Sequence, residues 1–269
     1  MIGIVYSLRD STSVRMARRM AIANGLEETT EGSMKYKGDR IAMYELAEPA
    51  LDTKTPDSFG CGAIVFLSKH ASQAGVASFT THSLGNWCSE AKFGGQPREL
   101  STASPLLMLQ VLRNFAGKEA YAEKTYEATH HGPLLKTPCL FAELGGNESI
   151  MNNEEALGEV ADAVFAAVTQ FLDGEPEYAK AVLGIGGTHY SGKFTRLALG
   201  KGYAFSHIMP KHSVMNSDGT DNLGMLPQAL ERSQVRPEVA VLDWKSLNAT
   251  AKAETIKKLN EVGLDYERA

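Results

Sequence analysis

Two hydrophobic periodicities alternate along this chain. Short continuous apolar runs, such as residues 62–67, predict strands that are buried on both faces of a sheet. Longer segments repeat apolar residues every three or four positions, most clearly at residues 153–172, and predict helices with one buried side. The other predicted strands are at residues 2–6, 40–46, 79–84, 124–129, 138–142, 179–185, 203–208 and 238–242, and the other predicted helices at 14–23, 105–115, 226–232 and 249–262.

The predicted strands and helices alternate from one end of the sequence to the other. This alternation is typical of a three-layer α/β/α fold with a mixed, largely parallel sheet. The 269 residues contain no repeat and no low-complexity segment, so we expect one α/β domain over residues 1–269. A turn-rich stretch at residues 216–222 marks the candidate start of a C-terminal subdomain, residues 216–269.

The composition is that of a globular protein. Hydrophobic residues make up 43% of the chain and charged residues 22%, so a sizeable buried core is expected. No apolar stretch approaches the roughly 18 residues of a membrane span. Arg9 and Asp10 interrupt the first apolar run too early for a signal peptide. The cysteines Cys61, Cys88 and Cys139 are scattered, which indicates free thiols and a cytoplasmic protein.

The charge is distributed unevenly. The formal net charge of −5 disfavours a protein that coats nucleic acid indiscriminately. Residues 178–217, however, contain no Asp or Glu and carry five cations, Lys180, Lys193, Arg196, Lys201 and Lys211. A local basic segment on an acidic body fits a small phosphate footprint such as the end of an RNA. The alternative is an ordinary solvated surface.

Histidines are concentrated in the middle of the chain, and all seven lie between residues 70 and 212. Six of them stand beside turns near the ends of predicted strands: His70, His82, His130, His131, His189 and His207. Ligands of open α/β sheets bind outside the carboxyl ends of the strands. Imidazole suits both metal binding and proton transfer near neutral pH. The sequence therefore predicts one shared histidine-rich site, with a structural hydrogen bond in the following turn as the alternative for His131.

A carboxylate occupies a comparable position. Glu143 follows the predicted strand 138–142 and precedes a Gly-Gly turn. It would serve as a metal ligand, a general base or a partner that orients a histidine. Glu148 lies near a helix N-terminus, where a carboxylate is favourable for electrostatic reasons alone.

Glycine-rich turns accompany the histidines. The sequence Gly184-Ile185-Gly186-Gly187 lacks the GxGxxG spacing of a dinucleotide site, and Phe194 replaces the Ser or Thr that a Walker motif requires. The expected use of Gly132, Gly186 and Gly187 is close backbone approach to a ligand. Their N–H groups would face an anion or a developing oxyanion.

Several spaced blocks together carry a resemblance to a known family. They are Phe66-Leu67-Ser68-Lys69-His70, Thr80-Thr81-His82 with Gly85-Asn86, Ala128-Thr129-His130-His131-Gly132-Pro133, Glu143-Leu144-Gly145, Gly186-Gly187-Thr188-His189-Tyr190 and His207-Ile208-Met209-Pro210. In this combination the chain resembles the archaeal-type D-aminoacyl-tRNA deacylases, which also occur in plants. The resemblance spans roughly residues 1 to 212.

The resemblance implies a fold akin to peptidyl-tRNA hydrolase and the phosphorylase/hydrolase-like proteins. It also implies zinc dependence and cleavage of the ester between a D-amino acid and the terminal ribose of tRNA. We expect a monomer that binds the tRNA acceptor end and no membrane. The predicted catalytic residues are His82, His130, Glu143 and His189. The predicted metal ligands are His70, His131 and His207, although other sets of three histidines remain open. The predicted tRNA-binding residues are Lys69, Gly132, Gly186, Gly187, Thr188, Lys193 and Arg196.

Three alternatives remain open at this point. A peptidyl-tRNA hydrolase or a metal-dependent amidohydrolase would use a similar crevice. A metal-free enzyme would use one histidine as the base and the others to hold the RNA end. A non-catalytic module would bind an RNA end or a metal and cleave nothing.

Overall fold

The computed structural model describes residues 1–70, 75–118, 122–216 and 219–269. The strands are β1 (Ile2–Ser7), β2 (Glu27–Glu28), β3 (Met34–Lys37), β4 (Ile41–Leu46), β5 (Ala63–His70), β6 (Ser78–His82), β7 (Gly85–Asn86), β8 (Glu99–Leu100), β9 (Glu123–Tyr126), β10 (Cys139–Gly145), β11 (Lys180–Ile185), β12 (Tyr203–Met209), β13 (Val239–Leu242) and β14 (Tyr266–Arg268). The α-helices are α1 (Ser11–Ala23), α2 (Pro105–Ala116), α3 (Glu148–Met151), α4 (Glu154–Asp173), α5 (Gly192–Lys201), α6 (Lys211–Val214), α7 (Leu226–Glu231) and α8 (Ala249–Glu261).

The strands form two principal sheets. The larger has eight strands in the order β2-β3-β4-β1-β5-β10-β6-β9, and the smaller has four in the order β12-β11-β13-β14. In the centre of the large sheet, β4, β1, β5 and β10 are parallel, whereas β6 is antiparallel to β10. All pairs of the small sheet are parallel. The prediction of an α/β fold with a mixed, largely parallel sheet is confirmed, but the division into two sheets was not predicted.

One hydrophobic core joins the two sheets. It combines Val65 and Leu140 of the large sheet with Val182 and Val241 of the small one, and α1, α2, α4 and α5 contribute its helical side chains. A second cluster holds the opposite face of the small sheet, represented by Leu183, against α7 and α8. The small sheet is therefore the middle of three layers.

The other face of the large sheet is covered differently. Its buried cluster contains Phe66 and Phe141 from the strands with Leu84 and Leu135 from loops, and no residue of an α-helix among those described. Loops are less continuous than helices, so this face retains space for a cavity. The candidate functional site lies on this face.

Most predicted elements are present with shifted ends. The predicted strand 124–129 ends at Tyr126, so the segment that follows it is free to turn out of the sheet. The short pairs β2-β3 and β7-β8 and the edge strand β14 were missed because two to four residues carry too little periodicity.

The division into domains stays a prediction. The small sheet combines β11 and β12 with β13 and β14, which lie on opposite sides of the predicted boundary at residues 216–222. Residues 217 and 218 of that boundary lie outside the described residues. The cysteines Cys61, Cys88 and Cys139 are free thiols. No helix in the described ranges combines the length and the apolar character needed to cross a bilayer.

Helix α4 offers a test of local stability. The side chain of Asn153 caps its N-terminus by accepting a hydrogen bond from the Ala156 N–H at 3.0 Å. We expect Asn153→Ala to lower the free energy of unfolding by about 1 kcal/mol, because that N–H loses its acceptor. Urea denaturation measures the change. Asn153→Asp keeps an acceptor and should retain most of the stability; an equal loss in both variants would contradict the capping role.

Candidate functional site

Five histidines from distant parts of the chain form one cluster. Ring centroids lie 4.2 Å apart for His82 and His130, 4.3 Å for His130 and His131, and 4.5 Å for His130 and His189. His70 joins the cluster through His189, at a centroid distance of 5.9 Å. The structure thus brings these five predicted site residues together.

The route by which they meet differs from the expected one. His70 and Glu143 lie on the parallel strands β5 and β10, toward their carboxyl ends, as predicted. His82 ends β6, which runs the opposite way, and it pairs with Phe141 of β10. Because Phe141 and Glu143 are two residues apart, their side chains point to the same face, and His82 joins them there. Register, rather than a shared strand end, places His82 in the site.

Glu127 was not singled out by the sequence analysis, yet it lies at the centre of the site. It follows β9 and is 1% exposed. Its carboxylate oxygens lie 3.3 Å from His70 Nδ1, 3.3 Å from His189 Nε2 and 3.7 Å from His130 Nε2. Neither oxygen accepts a hydrogen bond from the described residues. The available signal was a carboxylate inside an apparent strand, three residues before the His-His pair.

Glu143 is the second buried carboxylate of the cluster. Its Oε2 atom lies 3.3 Å from His70 Nδ1 and 3.6 Å from His82 Nε2. Burial alone would raise its pKa, but the facing histidines outweigh burial and hold the pKa well below its usual range. Burial likewise lowers the pKa values of His70 and His82, and the carboxylates reverse that effect and raise them. Glu143 is therefore an ionised acceptor between two imidazoles.

The His130–His131 pair has the opposite electrostatic character. Burial and the neighbouring His82 lower the pKa of His131 to about 4, and burial with the surrounding imidazoles lowers that of His130 well below its usual value. Both rings are therefore neutral at pH 7, the form in which imidazole binds a metal. His131 also has a left-handed backbone with φ of 45°, a conformation that costs energy in a non-glycine residue.

Tyr190 fixes the orientation of His70. Its hydroxyl forms a 2.9 Å hydrogen bond with His70 Nε2, on the side of the ring opposite the two carboxylates. Tyr190 follows His189, whose carbonyl accepts the Ala128 N–H at 2.8 Å. The loop after β11 is thereby attached to the segment after β9, and the small sheet contributes to a site on the large one.

The cluster opens into a cavity of about 440 Å³. One part of the wall contains His70, His130, His131, Glu143 and His189. Another part is apolar and consists of Pro49, Ala50, Leu51, Leu67 and Phe93. Arg9, Asp10 and Lys69 add charged groups. A volume of this size accommodates a small organic group beside the histidines.

The donor set fits a metal ion. Three groups have potential ligand atoms within 4.8 Å of one another: His82, His130 and His131; His70, Glu127 and His189; and His82, Glu127 and Glu143. The buried oxygens of Glu127 and the Nε2 atom of His82 have no hydrogen-bond partner among the described residues. Buried polar atoms are normally satisfied, so these orphaned donors and acceptors are consistent with a cation between them.

Two predicted site residues lie elsewhere. His207 is fully buried under Trp87, with Nδ1 3.3 Å from the Thr129 hydroxyl and Nε2 2.8 Å from the Arg232 carbonyl. Both ring nitrogens are occupied, so His207 does not join the metal-ligand groups. Lys193 Nζ lies 2.5 Å from Asp243 Oδ1 and 3.1 Å from the carbonyl oxygen of Ala269. It is held within the protein rather than directed at a ligand.

The glycine-rich turns also have a different use from the predicted one. The Gly132 N–H donates to the Phe93 carbonyl, and the Gly186 N–H donates to the Met209 carbonyl. The Gly187 N–H donates to the Ser246 hydroxyl. They are therefore not free to face an oxyanion. A Cβ atom at Gly132 would lie 2.1 Å from the Leu51 oxygen, so this glycine is required for close packing of loops. Thr188 and Arg196 are exposed, and the Thr188 hydroxyl donates to the Tyr190 carbonyl.

The fold and the site define an α/β enzyme with a buried histidine–carboxylate centre beneath an open cavity. Comparison with known proteins identifies its family. A sequence model of the D-aminoacyl-tRNA deacylases matches residues 58–267. The chain belongs to the D-aminoacyl-tRNA deacylase family, and the resemblance seen in the sequence is confirmed.

Individual relatives agree with this assignment. The D-aminoacyl-tRNA deacylase of Pyrococcus furiosus is 35% identical in an alignment 271 positions long, which covers 96% of each chain. That of Ignicoccus hospitalis is 37% identical over 214 residues, 78% of this chain and 82% of the relative. A crystal structure of a conserved protein of unknown function superposes with a TM-score of 0.88 at 27% identity and covers 100% of this chain and 95% of that one.

The buried His207 predicts a pH dependence that is independent of the cluster. Burial lowers its pKa to about 4 from an ordinary 6.5. Between those pH values the unfolded chain binds a proton that the folded chain does not, so stability falls as the pH falls from 6.5 to 4. We expect His207→Gln to reduce this slope by about 1.4 kcal/mol per pH unit at most, measured by urea denaturation across the range. The exposed His212 is the control, and an equal effect of His212→Gln would contradict the assignment.

Proposed function

We propose that this chain hydrolyses the ester that links a D-amino acid to the terminal ribose of tRNA, with zinc bound in the histidine–carboxylate cluster. Family membership supports the reaction. The main support for a bound metal is the Glu127 carboxylate. It is buried among three histidines and accepts no hydrogen bond from the described residues. A buried carboxylate without a partner is costly, and a bound cation would remove that cost.

The proposed ligands come from the groups that lie within reach of one another. Glu127 with His70 and His189 forms one set, and His82, His130 and His131 form another. The neutral state of His130 and His131 at pH 7 favours their role as ligands. When bound, zinc supplies Lewis acidity that polarises an ester carbonyl and lowers the pKa of a water molecule to about 7.

Glu143 positions two rings of the cluster. As an ionised acceptor it faces His70 and His82, and so orients both rings. His130 Nδ1 lies 2.8 Å from the Ala128 carbonyl, so a neutral His130 donates there and keeps Nε2 as an acceptor. This atom would bind the metal or accept a proton from the attacking water. His189, with its side chain 39% exposed, would contact the substrate from the cavity wall.

The cavity supplies the remaining recognition. Exposed Arg9 and Lys69 lie on its wall and would contact phosphates next to the RNA end. Arg9 takes the place of Lys193 in this role, because Lys193 is held by Asp243. We further propose that the protein is monomeric and acts in the cytoplasm, which fits its free cysteines.

Glu127 gives the sharpest test of the metal. We expect Glu127→Gln to keep the shape of the side chain but lose the negative charge, and so to lower bound zinc and reduce kcat/KM at least tenfold. Metal content by elemental analysis and D-tyrosine release from charged tRNA are measured on the same preparation. His207→Gln serves as the control for a buried change outside the cluster. Zinc content and turnover equal to those of the wild type would contradict the proposal.

The predicted catalytic residues have a separate test. Ala substitutions of His130, His189 and Glu143, made one at a time, should abolish deacylation without unfolding the protein, because each removes a group that lines the cavity. Circular dichroism monitors folding. Wild-type turnover in all three variants would remove this site from the reaction.

The reaction itself is tested by comparing substrates. Timed release should be fast from D-tyrosyl-tRNA and slow from L-tyrosyl-tRNA and N-acetyl-L-tyrosyl-tRNA, and a chelator should stop it until zinc is restored. Faster release from the N-blocked substrate would instead indicate a peptidyl-tRNA hydrolase. Tight tRNA binding without cleavage at any zinc concentration would indicate a binding module.

A further inference from the structure

Phe93 is an aromatic side chain that the proposed mechanism does not use. It lines the cavity together with His130, His131 and His189, yet it remains 69% exposed. Ligand pockets are lined largely by apolar and aromatic side chains, so an exposed ring on the cavity wall is suited to ligand contact. Phe93 is therefore at the rim of the cavity, whereas Glu143, which also lines it, is only 3% exposed.

The segment that carries Phe93 is anchored on the site. The Phe93 carbonyl accepts the Gly132 N–H at 3.1 Å, directly after the His130–His131 pair. Gly94 has a φ of +78°, and a Cβ atom there would lie 2.1 Å from the Leu51 oxygen. The side-chain amide of Asn86 donates to the Gly94 carbonyl at 2.9 Å. These contacts hold the backbone that carries the ring next to the His130–His131 segment.

Two cations share the rim with this ring. Arg9 and Lys69 are exposed and line the same cavity. Asp10 also lines it, but its oxygens accept the N–H groups of Thr12 and Lys69, at 3.0 and 2.9 Å. An aromatic ring and cations in one cavity are suited to bind a nucleotide, because the base stacks and the phosphate pairs with positive charge.

We propose that Phe93 stacks on the terminal adenine of the tRNA, while Arg9 and Lys69 bind the phosphate on its 5′ side. This inference rests on the proposed function, which places the scissile ester at the histidines. The ribose separates the adenine from that ester, so the base belongs at the rim rather than at the base of the cavity. The amino-acid side chain then faces the apolar wall near Leu51 and Leu67.

The test compares two esters of D-tyrosine. One is 3′-O-D-tyrosyl-adenosine, which contains the base, and the other is D-tyrosine methyl ester, which does not. We expect Phe93→Ala to raise KM about tenfold for the adenosine ester, because the stacking contact is lost. The kcat for that ester, and both KM and kcat for the methyl ester, should stay unchanged. Phe93→Trp should restore KM, and Phe93→Leu, which lacks an aromatic face, should not. Tyr178, which is 91% exposed and outside the cavity, is the control through Tyr178→Ala.

A binding measurement makes the result independent of turnover. Calorimetric titration with adenosine 5′-monophosphate and with adenosine should show weaker binding of both to Phe93→Ala. Arg9→Ala and Lys69→Ala should weaken the binding of the monophosphate and leave the binding of adenosine unchanged. An equal rise in KM for both tyrosine esters in Phe93→Ala would place the ring against the amino acid and overturn the proposal. Nucleotide affinity equal to that of the wild type would also overturn it. A wild type that binds the nucleotide through Phe93 but cleaves neither ester would overturn the deacylase function and leave the stacking role standing.

Discussion

The site depends on the burial of two carboxylates among five imidazoles. A carboxylate removed from water is stable only when nearby positive charge or hydrogen bonds replace its hydration. Glu143 meets this requirement through His70 and His82, whose pKa values are raised in return. Glu127 lies within 3.7 Å of three histidines but accepts no hydrogen bond from the described residues. A cation in the cluster would supply the positive charge that Glu127 lacks, with the surrounding histidines as its other ligands.

The two-sheet arrangement is what makes this convergence feasible. The helices cover one face of the large sheet, and the same hydrophobic core extends to the small sheet. The opposite face is left to loops, and six of the seven charged or imidazole groups reach it from β5, β6 and β10 or from the segment after β9. The small sheet adds His189 and Tyr190 by attaching its own loop to that segment. A single continuous sheet with helices on both faces would have buried this surface.

Sequence patterns predicted the elements well and the site in part. Apolar periodicity predicted the long helices and central strands because burial on one or two faces requires apolar residues at regular positions, as at residues 153–172. Clustering near turns singled out six histidines, and five of them lie in the cluster. It failed for His207, since a buried imidazole satisfied by Thr129 and Arg232 has the same local sequence as a ligand. Glu127 was missed because strand direction and register, which bring it to the centre, are not readable from local spacing.

Recognition of a charged RNA end by an acidic protein requires local rather than overall attraction. Lys69 and the basic segment 178–217 were the expected sources, but Lys193 of that segment pairs with Asp243 and contacts the Ala269 carbonyl oxygen. In the described part of the chain, the Lys and Arg residues that line the cavity are Lys69, near the end of β5, and Arg9, which follows β1. Two cations give a shallow dependence on salt compared with a protein that tracks many phosphates. Under the proposed function, such a surface would select the end of a nucleic acid, where one base and one ester are accessible together, over the body of a duplex.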